Sequence, residues 1–332
     1  MMMAVTIDTR SMRLSVDGLA YNMTVAGEAG PALLLLHGFT GSGATWLPLL
    51  APLAAQHRVV AVDLPGHGRT DAPDDTSRYG IDRTVRDLLA LMDQMEEPLD
   101  QWSGPEGRGT AASPALEGSD THEWARPRDL SASPAPARGN PAEPWAVLGY
   151  SMGGRLAMHL ALAAPDRVAA LVLEGASPGI ADQDERRQRR EADDALAARI
   201  ERDGIAAFVD YWGTLPLFAS QQRLPDSVRA ALRAARLAND PHGLASSLRS
   251  VGTGTQEALH DRLATLPMPV LLIAGEWDEK YRTLAGEMAG RIPYAQVAII
   301  AEAGHAAHLE QPERFAATVR GFLERGEKGG KL

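Results

Sequence analysis

PWAVLGYSMGGRLAMHLALAA, residues 144–164, decides how the rest of the chain is read. It opens on a short apolar run suited to a strand buried on both faces and closes on a stretch with helical spacing. Between them stands Gly-x-Ser-x-Gly over 149–153. A serine held in a sharp strand-to-helix turn crowds its neighbours against backbone, so such a junction needs glycines. The order strand, elbow, helix therefore predicts a serine nucleophile at Ser151. Arg155 follows one helical turn later.

Outward from this stretch, short Val/Leu/Ile/Ala runs alternate with helical patterns. The runs are PALLLLHG (31–38), HRVVAVDLPGHG (57–68), RVAALVLEGAS (167–177), PVLLIAGEWD (269–278) and QVAIIAEAGH (296–305). TWLPLLAPLA (45–54), IDRTVRDLLALMDQM (81–95) and PERFAATVRGFLE (312–324) read as helices between and after them. Near-continuous apolar strands alternating with helices predict an α/β fold with a mostly parallel central sheet flanked by helices. MRLSVDGLAYNMTVAG (12–27) differs, with an Asp-Gly turn between alternating runs, and predicts a leading antiparallel hairpin. Two segments break the alternation. Residues 182–258 carry only helical patterns and are read as a helical cap inserted after the sixth strand, leaving 1–181 and 259–332 as the core. Residues 98–144 are rich in Pro, Gly, Ser and Ala without periodicity, and are read as a disordered surface insertion with no assigned function.

The 332 residues carry a net charge of −10 and are 45% hydrophobic, enough for one large core. An acidic chain of this kind argues against nucleic-acid or anionic-membrane partners, so local arginine clusters carry information about ligands. The absence of cysteine excludes disulfides and thiolate chemistry. No run approaches the roughly 18 apolar residues of a membrane span, and Asp8 and Arg10 interrupt any secretory core near the start. The expectation is a cytoplasmic enzyme without membrane insertion.

A serine hydroxyl needs an adjacent base. On a sheet of this type the order along the chain is serine, acid, histidine. His305, on a Gly-His turn ahead of the last helix, and Asp278, at the end of the preceding strand, meet that order. His308 is the competing base. Glu174 and Asp63, which also end strands, are the competing acids, while His37 and His67 precede the serine and do not fit. Two backbone N–H groups, of Phe39 in the turn HGFTGSG and of Met152 after the nucleophile, would form an oxyanion hole. That glycine-rich turn lacks the Gly-Lys-Ser/Thr ending of a phosphate loop.

Arg155 lies where the helix dipole disfavours a cation, which suggests a compensating anion. That anion is a substrate carboxylate or, alternatively, a protein Asp or Glu. In DERRQRRE, Arg186, Arg189 and Arg190 share a helical face but stand among Asp184, Glu185 and Glu191, so ion pairing on a solvated helix accounts for most of them.

With these motifs in place the chain resembles the α/β-hydrolase superfamily, outside the 98–144 insertion. Within it, GYSMGGRLA, LVLEGASPGI, FVDYWGTLPLFASQ, RLANDPHGLASSLRSVGTGTQ, GEWDEKY and AGHAAHLEQP resemble the 2-succinyl-6-hydroxy-2,4-cyclohexadiene-1-carboxylate synthases of menaquinone biosynthesis. The resemblance implies a lyase that eliminates pyruvate from an enolpyruvyl cyclohexene carboxylate bearing a succinyl group, with neither metal nor cofactor. It implies that Ser151, His305 and Asp278 act together as a base, and that Arg189 faces the pocket. Arg236 is a third arginine candidate, three guanidinium groups suiting a polycarboxylate. Tyr150, Trp212 and Lys280 match pocket positions of the family. The alternative is a carboxylester or carbon–carbon bond hydrolase in which Ser151 is a covalent nucleophile.

Overall fold

A computed structural model describes residues 8–96, 107–110 and 143–327. Its centre is a nine-stranded sheet in the order β5-β1-β2-β4-β3-β6-β7-β8-β9. β1 (Asp8–Val16) and β2 (Leu19–Ala26) form the expected antiparallel hairpin. Its turn residues Asp17 and Gly18 both have positive φ, the geometry that matches the twist of the flanking strands. β2 pairs antiparallel with β4 (Arg58–Val62). From there β3 (Ala32–Leu36), β6 (Trp145–Tyr150), β7 (Val168–Glu174), β8 (Val270–Gly275) and β9 (Ala295–Ile300) continue in parallel.

The period of two along each central strand divides the core into two layers. Leu34 and Leu36 of β3 and Val147 of β6 face one layer, where α2 (Ile81–Gln94), α3 (Met152–Ala163) and α7 (Glu279–Ala289) contribute Leu88, Leu156 and Met288. Leu33, Leu35 and Leu148 face the other, closed by Leu50 of α1 (Leu47–Ala54) and Phe315 and Phe322 of α9 (Pro312–Glu327). A one-residue slip in any of these strands would exchange the two sets, so register is strongly specified.

Between β7 and β8 lies the helical segment: α4 (Gln183–Trp212), α5 (Asp226–Leu237) and α6 (Pro241–Val251). α4 starts on Asp182, whose side chain accepts from the N–H groups of Asp184 and Glu185. It is broken at Gly204, which has a φ of 79°. Ala197, Ile200, Phe208, Leu244 and Leu248 give this segment a small apolar cluster of its own.

One expectation is corrected. Within 98–144, Gly107–Thr110 form β5, an edge strand pairing antiparallel with Asp8–Ser11 of β1. Gly-Arg-Gly-Thr has no apolar alternation to announce a strand, and edge pairing needs only backbone. β7, after which the helical segment enters, is thereby the seventh strand in chain order rather than the sixth. The remainder of the proposed insertion, up to residue 142, lies outside the described residues. Among the described residues, no helix is long and apolar enough to cross a membrane.

Candidate active site

The end of β6 and the start of α3 meet at Ser151, whose φ of 50° and ψ of −107° are a sparsely populated conformation for a residue with a side chain. The surrounding glycines make room for it. A Cβ on Gly153 would collide with the carbonyl of Leu36, one on Gly149 with the carbonyl of Gly153, and one on Gly154 would approach Ala176 Cβ to 2.7 Å. The Ser151 N–H donates to the Glu174 carbonyl at 2.8 Å, which ties the elbow to β7.

His305 stands on the loop after β9, with Nε2 3.2 Å from Ser151 Oγ and Nδ1 2.7 Å from Asp278 Oδ2. Asp278 caps α7, its Oδ1 accepting from the Tyr281 N–H at 3.3 Å. His305 is 3% exposed and Asp278 9%, so the carboxylate holds the imidazole in a nearly dry setting. The residues weighed against these two pair with each other instead. Glu174 and His308 are both fully buried, with Glu174 Oε2 2.7 Å from His308 Nδ1 and Oε1 accepting the His308 N–H. Asp63 is occupied by Asn22 Nδ2 and the N–H groups of Gly43 and Arg69.

Phe39 follows β3 in a turn closed by the Gly41 N–H on the Gly38 carbonyl. His37 fixes the turn: its Nε2 accepts from the Leu64 N–H at 2.9 Å and its Nδ1 lies 2.8 Å from the Gly38 carbonyl. Burial pushes the His37 imidazole down to about 4, so it stays neutral and keeps that acceptor. Met152 is the first residue of α3, where amides have no partner within the helix.

A cavity opens over Ser151. Phe39, Tyr150, Met152, Arg155, Arg189, Trp212 and Lys280, all singled out from sequence, contribute to its walls. Arg155 is buried. Its Nη1 donates to the Val251 carbonyl at 2.7 Å and to Gln256 Oε1 at 3.0 Å, both neutral, and it has no carboxylate partner among the described residues. Burial draws its guanidinium down to about 10, still charged at neutral pH. Arg189 is held by Asp193, with Nε 2.8 Å from Oδ1, and is half exposed. Trp212 packs edge-on against Phe39, with ring centres 5.4 Å apart, and also against Phe208 and Phe218. Arg236 is not among the residues lining the cavity. It stacks over the wall residue Phe218 and donates to Gln221 Oε1.

Three contributors escape sequence reading. Tyr281 lines the cavity and stacks on His305 with ring centres 4.5 Å apart. It sits next to Lys280 in the quoted motif GEWDEKY, which is the only local sign of it. Gln256 holds Arg155 from 101 residues away, and its only local sign is its place at the end of the quoted motif RLANDPHGLASSLRSVGTGTQ. Asn239, next to the RLA stretch of Arg236, donates to the Thr40 carbonyl and accepts from the Gly68 N–H, joining α5's end to the turn that carries Phe39.

A parallel sheet with a glycine-flanked serine elbow and a histidine–carboxylate pair at its carboxyl edge defines a protein of the α/β-hydrolase class. The sequence profile described as "Alpha/beta hydrolase family" matches residues 33–318. A Bacillus subtilis (strain 168) protein named as a 2-succinyl-6-hydroxy-2,4-cyclohexadiene-1-carboxylate synthase is 38% identical over 92% of this chain and 96% of its own. The synthase of that name from Photorhabdus laumondii is 32% identical, covering 88% and 85%. The solved structure of MenH from S. aureus superposes with a TM-score of 0.75 at 29% identity, covering 92% of this chain and 98% of that one. The chain belongs to the α/β-hydrolase family and, within it, to the branch of the 2-succinyl-6-hydroxy-2,4-cyclohexadiene-1-carboxylate synthases. It is a lyase-type enzyme on an α/β-hydrolase scaffold.

Proposed function

We propose that the chain eliminates pyruvate from 2-succinyl-5-enolpyruvyl-6-hydroxy-3-cyclohexene-1-carboxylate to give 2-succinyl-6-hydroxy-2,4-cyclohexadiene-1-carboxylate, a step of menaquinone biosynthesis. Ser151 Oγ passes its proton to His305 Nε2 and takes the ring proton alpha to the succinyl ketone. Asp278 holds the imidazole's orientation and offsets the charge it acquires. The electron pair moves onto the ketone oxygen, which the N–H groups of Phe39 and Met152 receive. Collapse of that enolate forms the second ring double bond and breaks the carbon–oxygen bond to the enolpyruvyl group, which recovers a proton and leaves as pyruvate. The helical segment 182–258 acts as a cap that supplies Arg189, Trp212 and Arg236 to the substrate, with Lys280 and Tyr150 completing the walls.

The observation that carries this reading is Arg155: a buried guanidinium one turn beyond the serine, bonded only to neutral acceptors and opening on the cavity. A pocket for neutral esters favours apolar walls and has no use for such a charge. The test supplies the enolpyruvyl substrate, made in situ by the preceding synthase, and follows pyruvate release together with diene absorbance. Turnover supports the lyase. Absence of turnover combined with fast p-nitrophenyl ester hydrolysis would establish the hydrolase alternative, with Ser151 acylated.

A further inference from the structure

Glu310 ends α8 (Ala307–Glu310), a single helical turn directly after His305. Its carboxylate folds back over that turn. Oε2 accepts the Gly304 N–H at 2.8 Å, and Oε1 accepts the Ala306 N–H at 3.3 Å, so one side chain receives the amides on both flanks of His305. Oε1 also accepts the Ser220 hydroxyl at 3.0 Å. Ser220 comes from the 3₁₀ stretch Pro216–Arg223 between α4 and α5, ninety residues away in the chain. Gly304 records how close this approach is: a Cβ there would meet Ser220 Cβ at 2.8 Å and Glu310 Oε2 at 3.3 Å. Burial raises the Glu310 carboxyl above its ordinary range, and the three donors work against that rise. Ordinary capping of one helical turn would need neither the third donor nor a residue from the helical segment.

We infer that Glu310 and Ser220 form a positioning pair that sets His305 against Ser151 and makes that setting depend on how the helical segment is seated. The inference rests on the reading of Ser151 and His305 as the working pair. A carboxylate suits the task because its two oxygens meet two amides and a hydroxyl. An amide at this position has one acceptor oxygen, and its NH₂ would face a backbone N–H. A displacement of the imidazole by a fraction of an ångström is enough to matter, because proton transfer requires hydrogen-bond reach.

The test measures the second-order rate at which a small neutral fluorophosphonate modifies Ser151. The serine proton passes to His305, the phosphorus–oxygen bond forms and fluoride leaves, so the rate reports the Ser151–His305 pair whatever the natural substrate is. Rates are divided by the folded fraction from circular dichroism at the same temperature. Glu310→Gln should slow modification by roughly tenfold or more and Ser220→Ala by roughly threefold, with Ser220→Thr restored to near the wild-type rate. With the enolpyruvyl substrate the same variants should lose kcat with KM little changed. Wild-type rates per folded molecule in Glu310→Gln, or in Ser220→Ala, would overturn the pairing. Failure of the underlying site reading looks different: the folded wild-type chain is then itself inert to the probe, and the proposal falls with it.

Discussion

Replacing Arg155 tests the central argument most directly. In the resting site its Nη1 serves Val251 and Gln256, while Nη2 and Nε have no partner among the described residues. Those two nitrogens can offer a carboxylate a two-point, charge-assisted contact. Truncating one partner of a buried charged pair costs about 2–5 kcal/mol, and the half already spent on neutral acceptors places Arg155→Ala at about 2–4 kcal/mol of transition-state binding. That is a loss of about 30- to 1,000-fold in kcat/KM on the enolpyruvyl tricarboxylate, at about 1.4 kcal/mol per decade. Arg155→Lys keeps the charge but not the fork, and should fall between wild type and alanine. The alanine variant also strands the Val251 carbonyl and Gln256 Oε1, about 1–3 kcal/mol of stability that thermal unfolding will register separately. The control is modification of Ser151 by the neutral fluorophosphonate, which needs the elbow and His305 but no carboxylate recognition. An equal loss in both assays would refute the reasoning and make Arg155 a scaffold residue.

Asp278→Asn should leave the fold intact and lower kcat by on the order of 10³–10⁴, because the amide favours the wrong imidazole tautomer; a loss below tenfold would return the acid's role to another group. Gly153→Ala should not yield folded, probe-reactive protein, since its Cβ has no space against the Leu36 carbonyl; a well-folded variant would disprove the steric account of the elbow. Glu174→Ala removes one side of a fully buried pair and should cost about 3–5 kcal/mol in denaturant unfolding, while surviving folded molecules keep most of their kcat. Stability should also fall in mild acid. Burial lowers His37 to about 4 and His67 to about 3, whereas the unfolded chain protonates both near 6.5. Their contribution is complete above that value and shrinks as pH falls towards the folded values, by about 2 kcal/mol for each ring at pH 5. Denaturant midpoints that stay flat from pH 7 to 5, or that keep the same slope in His67→Gln, would contradict this.

How much of the site can be read from the sequence follows from how each residue is held. Ser151, Met152 and the elbow glycines lie within one strand-to-helix turn, so a few adjacent letters encode their geometry. Asp278 and His305 follow successive parallel strands, and a parallel sheet brings such ends to one edge. Arg155 was legible because a cation in a first helical turn opposes the local field. Gln256 and Asn239 act through partners fixed by tertiary packing, as does Glu310 through Ser220, and no spacing rule marks them. Arg236, whose position in the chain suited the cavity, is instead seen stacked on Phe218 and bonded to Gln221. β5 was missed because strand pairing runs through the backbone and Gly-Arg-Gly-Thr has no apolar alternation.

That edge strand has a consequence for how copies of the chain meet one another. β5 covers the outer ladder of β1, at the end of the sheet remote from β9. β9 itself remains an edge, with Val297 and Ile299 almost half exposed. Trimming the chain between Glu96 and Glu143 as dispensable would free the ladder of Asp8–Ser11, so that the nine residues of β1 replace the four of β5 as the edge at the opposite end of the same sheet. A longer edge strand is a better template for pairing with another chain than a very short one. Four residues of the Pro- and Gly-rich tract thus keep the edge at this end short, and a shortened enzyme should associate more readily through β1 while keeping its active site.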